Sequence, residues 1–105
     1  MSTEIANEIA RQLGGTRRLA AMTGASKFTA DGPALVFALP SGKAKDGINN
    51  VRITLDQGTD TYTVRFIRIG RAPSFKVTPV QETSLVYADQ LKTLFEQTTG
   101  LYLSL

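Results

Sequence analysis

Residues 51–66 read Val51-Arg52-Ile53-Thr54-Leu55-Asp56-Gln57-Gly58-Thr59-Asp60-Thr61-Tyr62-Thr63-Val64-Arg65-Phe66, and their alternation decides the fold. Val51, Ile53 and Leu55 point to one side and Arg52 and Thr54 to the other, the two-residue period of a half-buried strand. Tyr62, Val64 and Phe66 alternate in the same way with Thr63 and Arg65. The tight Gln57-Gly58-Thr59 connection makes the two runs a β-hairpin. Beyond Phe66 the phase slips, and Ile67 and Ile69 become the apolar positions. A bulge near Phe66–Ile67 accounts for this, as does burial of both faces.

Strand signals extend on both sides of the hairpin. In residues 34–39, Leu35, Phe37 and Leu39 share one face and Val36 and Ala38 the other, and the run stops at Pro40. Residues 40–50 are a loop of turn formers. Residues 74–81 read as a further strand with Phe75 and Val77 inward, Pro79 marking its end or a sheet edge. Residues 18–29 are ambiguous: Leu19 and Met22 could continue a helix, while Gly24 argues for a break, so a short strand or irregular segment around 19–23 is expected, then a turn, with Asp31-Gly32-Pro33 a strong turn signal.

Helices bracket the strands. Ile5, Ile9 and Leu13, with Ala6 and Ala10, form one apolar stripe over residues 3–13. Ser2 or Thr3 suits the N-cap, and Gly14-Gly15 the end. A last helix is expected over 85–99, started by Thr83 or Ser84. Tyr87, Leu91, Leu94, Phe95 and Thr98 form its stripe, Lys92 and Glu96 pair on its other face, and Gly100 stops it, with Leu101 as a Schellman contact. The apolar tail 101–105 is expected to pack down, a strand being one form open to it, and is the segment most open to a homo-oligomer interface. The fold class is therefore a two-layer α+β domain over residues 1–105. A mostly antiparallel sheet of about four or five strands is flanked by an N-terminal and a C-terminal helix.

Composition narrows the chemistry. The chain has 105 residues, 42% apolar and 20% charged, as expected of a globular domain. It contains no cysteine and no histidine. Thiolate chemistry, disulfides and the commonest metal ligands are thereby excluded, as is the commonest general base at neutral pH. No cofactor is expected. The start MSTEIANEIARQLGG lacks the pattern of a signal peptide, and no run matches the roughly 20 apolar residues of a membrane span. The expected location is the cytoplasm.

The net charge of +3 is unevenly spread. Residues 61–81 carry Arg65, Arg68, Arg71 and Lys76 without an acid, whereas residues 82–105 set Lys92 against Glu82, Asp89 and Glu96. On the outward face, Arg52, Arg65 and Lys76 with Thr54, Thr63 and Thr78 form a candidate anion or nucleic-acid surface. No aromatic accompanies them for base stacking, and a solvated sheet face needs the same residues. Arg68 and Arg71 around Ile69-Gly70, and Arg17-Arg18 after the first helix, are further candidate phosphate contacts, against a plain role in solubility. Asp56-Gln57-Gly58-Thr59-Asp60 lacks the spacing of a calcium loop. Met22-Thr23-Gly24-Ala25-Ser26-Lys27 lacks that of a Walker A loop. Tyr87, Phe95, Tyr102 and Leu103 form either a docking patch or, as helical spacing favours, core.

Several segments together carry a resemblance: Gln12-Leu13-Gly14-Gly15, Ala21-Met22-Thr23-Gly24-Ala25, Val51 to Leu55, Thr61 to Phe66, and Tyr87-Ala88-Asp89-Gln90-Leu91 with Leu94-Phe95-Glu96 and Thr99-Gly100-Leu101-Tyr102. Over nearly the whole chain this resembles a group of small uncharacterised bacteriophage and prophage proteins. The resemblance implies a phage or mobile-element origin and a place in the host cytoplasm, and no activity or functional residues. The expected function is that of a non-enzymatic accessory protein that binds a macromolecule, a host or phage protein. The alternative is a nucleic-acid-binding module using the basic sheet face.

Overall fold

The computed structural model describes residues 4–40, 42–70 and 75–103. The elements are α1 (Glu4–Gln12), α2 (Thr16–Thr23), β1 (Ser26–Asp31), β2 (Ala34–Ala38), β3 (Asn50–Asp56), β4 (Thr61–Ile69), β5 (Val77–Val86) and α3 (Leu91–Thr99). The five strands pair antiparallel in chain order, which makes the expected α+β sheet a simple meander.

The expected β3–β4 hairpin is present, and its register sets Arg52 opposite Arg65, Ile53 opposite Val64 and Thr54 opposite Thr63. Leu35 and Phe37 (β2), Val51 and Ile53 (β3) and Val64 and Phe66 (β4) line one face. Against it pack Ile9 of the first helix, Leu13 in the turn just after it, Leu19 of the second helix, and Leu91 and Phe95 of the third, all in one buried cluster. Phe37 sits at its centre, its ring 5.6 Å from that of Phe28 and 6.0 Å from that of Phe95.

The irregularities fall in the edge strands. β4 runs unbroken against β3, so Ile67 and Ile69 stay on the face of Arg65. The slip expected near Phe66–Ile67 is present, but on the β5 side: Phe66 faces Gln81 and Ile67 faces Pro79, leaving Val80 extra. Ser84 and Leu85 together oppose Thr63, and Lys27 and Phe28 together oppose Phe37. Bulges and an edge proline make β1 and β5 poor templates for another strand.

Four expectations are corrected. Residues 16–23 are a helix, not a strand or irregular segment. Gly24 is its C-cap at φ 78°, with its N–H bonded to the Ala20 carbonyl, and a Cβ there would lie 2.6 Å from the Pro40 ring. That glycine ends a helix; it does not prevent one. Second, Ser26–Asp31 is a strand whose bulge at Lys27 erases the two-residue period. Third, the strand expected over 74–81 runs Val77–Val86, with Phe75 and Val77 exposed and not inward, and α3 begins only at Leu91, after a 3-10 turn at Ala88–Gln90. Tyr87 is therefore exposed and lies outside the helical stripe. Fourth, Glu96 forms no ion pair with Lys92; its carboxylate accepts the Leu103 N–H at 2.7 Å. With Leu103 fully buried, the tail packs down as far as described, without forming a strand. Gly100 ends α3 as expected, while the proposed caps Ser2 and Thr3 lie outside the described residues.

Phe37→Ala should lower stability by about 3–5 kcal/mol, read from urea denaturation, because the cavity would separate β2 from α3. A second expectation concerns Tyr62. Burial, reinforced by the nearby Glu8 and Asp60 carboxylates, raises its phenol above the usual 10.0. Above about pH 10 the unfolded chain therefore releases this proton first, and stability falls as pH rises towards the folded-state value. Tyr62→Phe should flatten that alkaline fall in urea midpoints; an unchanged slope would place its origin elsewhere.

Candidate functional site

Because every helix packs on one side of the sheet, the other face is covered by none of the described elements. Across its middle runs a row set by strand register, in which Val36, Arg52, Arg65 and Glu82 stand opposite one another. Arg52 donates to Asp31 at 2.8 Å and Arg65 to Glu82 at 2.9 Å. Two cations and two carboxylates thus share this face, and its field is close to neutral. On one side of the row lie Thr54 and Thr63. On the other lie Ala38, Ile67, Ile69, Val77 and Pro79, of which Val77 and Pro79 are exposed.

The remaining predicted contacts lie elsewhere. Lys76 precedes Val77, which is opposite Ile69, and alternation takes Lys76 off the face of Arg52 and Arg65. Thr78 is opposite Arg68, on the helix-bearing side. Arg68 rests against Gly47, where an added Cβ would lie 2.8 Å from its Cδ. Arg17 and Arg18 occupy the exposed first turn of α2, beside a shallow depression shared with Gly14, Ala21 and Met22. Arg71 lies outside the described residues. Of the described candidates the sheet thus sets Arg52 opposite Arg65 on the open face, and Arg68 diagonal to Lys76 on the helix-bearing side.

A groove of about 350 Å³ opens between β5 and α3. Its walls include Thr83, Ser84, Leu85 and Val86 from the strand and Thr93 and Leu94 from the helix. The turn at one end is fixed by two bonds: the Tyr87 N–H donates to the Gln90 side chain at 3.1 Å, and the Gln90 N–H to the Tyr87 carbonyl at 2.8 Å. Leu85 stands out here, 65% exposed and at φ 57°. A leucine in the left-handed region is disfavoured by its own Cβ, and its exposure returns little packing energy. Sequence reading placed Leu85 within the last helix; its bulge depends on pairing with Tyr62 and Val64, a non-local contact with no local signal.

Among the described residues no group of acids could hold a metal ion, and no helix is long and apolar enough to cross a membrane. No known protein family, curated protein or solved structure matches the chain. Leu85→Gly should raise stability by about 0.5–1 kcal/mol, measured as a higher urea midpoint, because glycine adopts this backbone without strain. A lower midpoint would mean that Leu85 contributes packing that its exposure does not reveal.

Proposed function

We propose that this domain is a non-enzymatic binding module whose β5–α3 groove receives an apolar side chain from a protein partner. The observation that carries this reading is Leu85, an exposed leucine held in a strained backbone at the groove wall. Residues kept against local preference are enriched at binding sites. The bulges and Pro79 disfavour strand addition along β5, so contact is made by side chains entering the groove and not by a new ladder. Tyr87, also exposed at the end of β5, offers a second amphipathic contact. The resemblance to phage and prophage proteins supports a role as an accessory protein of a mobile element. The sheet face is less favoured as a nucleic-acid surface, because Asp31 and Glu82 stand against its two arginines.

Peptides selected from a random library against the whole chain test this. Bound peptides should carry an apolar anchor and shift the amide resonances of Thr83–Val86 and Thr93–Gln97. Leu85→Gly, which should retain the fold, and Thr93→Arg, which fills the groove, should each weaken binding about tenfold or more. Selected peptides that bind elsewhere, or that tolerate both substitutions, would overturn the proposal.

A further inference from the structure

Four cations of this protein come from neighbouring loop and strand ends. Lys43, Lys45, Arg68 and Lys76 are exposed, and among the described residues none of them is in an ion pair. With Asp46 these four cations sum to +3, the formal net charge of the whole chain, so its remaining acids and bases balance.

Contacts join most of this set into one continuous surface. Lys45 reaches the end of α3, its Nζ 3.4 Å from the Gln97 carbonyl and its stem against Gly100. Two residues on, Gly47 touches the side chain of Arg68. Arg68 is opposite Thr78 across the sheet, and the Gly70 N–H donates to the Lys76 carbonyl at 2.8 Å, which places Lys76 diagonal to Arg68. The Asn49 side chain fixes this corner by bonding both the N–H and the carbonyl of Ile69, at 2.8 and 2.9 Å. Lys43 belongs to the turn that leads into Lys45.

Two exposed aromatic residues lie close to the cations along the chain. Phe75, 59% exposed, immediately precedes Lys76, and Tyr102, 65% exposed, lies two residues beyond Gly100 at the Lys45 end. Exposed rings interleaved with unpaired cations are what a single strand of nucleic acid requires: rings to stack bases and cations to track phosphates. A folded duplex hides its base faces and has no use for the rings. An acidic peptide would use the cations but gain little from planar stacking. We infer that the surface running from Phe75 and Lys76 through Arg68 to Lys45 and Tyr102 binds single-stranded nucleic acid. This rests on different residues from the groove and is independent of it.

The test is fluorescence anisotropy of the whole chain with labelled dT20, rU20 and a 20-base-pair duplex. If about three phosphates are neutralised, single-strand affinity should fall roughly 20-fold between 50 and 200 mM KCl. Arg68→Gln with Lys76→Gln should weaken binding about tenfold or more and flatten that salt dependence. Phe75→Ala should weaken it at least about fivefold with the salt dependence unchanged. Arg52→Gln with Arg65→Gln removes the same charge from the neutral face and should change affinity less than about twofold. Similar affinity for dT20 and rU20 fits this surface, since stacking and phosphate contacts are common to both. Absence of binding, equal effects of the two arginine-containing pairs, tighter binding of the duplex, or indifference to Phe75→Ala would each overturn the inference.

Discussion

The packing of Phe37 between Phe28 and Phe95 ties the two ends of the chain to the middle of its sheet. Phe95 belongs to the last helix, and Phe28 to the first strand, directly after α2. Because Phe37 has only one side of β2 to project from, both ends must come to the same face. Ile9, Leu13 and Leu19 then complete the layer over Val51, Ile53, Val64 and Phe66. A meander of this length cannot also cover its second face, so one side of the sheet is left to be made compatible with water.

That constraint explains the charge pattern. Directly opposed Arg52 and Arg65 would repel each other across the β3–β4 pair. Asp31 on one side and Glu82 on the other remove the repulsion, and both carboxylates come from edge strands. Exposed ion pairs of this kind add little stability, about 0–1 kcal/mol each. Their consequence is a close to neutral face, which leaves the cations at the loop and strand ends around Arg68 among those without an acidic partner. The charge excess of residues 61–81 is genuine, but only register reveals that Arg65 is the member paired with an acid, Glu82.

Sequence alone was most informative where burial follows a simple period. The 51–66 hairpin, the 34–39 strand and the α1 stripe all alternate around a single buried face, so local pattern and tertiary role agree. It failed at α2, where Leu19 and Thr23 are the only buried residues of eight and the apolar stripe is too thin to register. It failed again at β1, whose residues are nearly all exposed, and at the end of β5, where bulges break the period. Among the candidate site residues, Arg52 and Arg65 were paired correctly on one face, since the hairpin fixes them. Lys76 was assigned to the wrong face because the slip at Val80 cannot be seen without the partner strand.

These misreadings share a cause. A consistent sequence lets local preference, burial and long-range pairing agree, and departures from that agreement are expected where a protein does something besides fold. Among the described residues, five other than glycine have positive φ. Two of them are aspartates, which tolerate that backbone, and Lys27 is in a polar edge bulge. Phe75 and Leu85 have neither excuse: each is bulky, apolar, more than half exposed and in the left-handed region. They sit just before β5 and near its far end. Glycine or asparagine at either position would relieve the backbone and remove apolar surface from water, so folding alone gives no reason for the residues found. One borders the groove against α3 and the other adjoins the uncompensated cations. β5 is thus an edge strand shielded against pairing along its length and provided with an exposed apolar side chain at each end, an arrangement suited to contact through side chains.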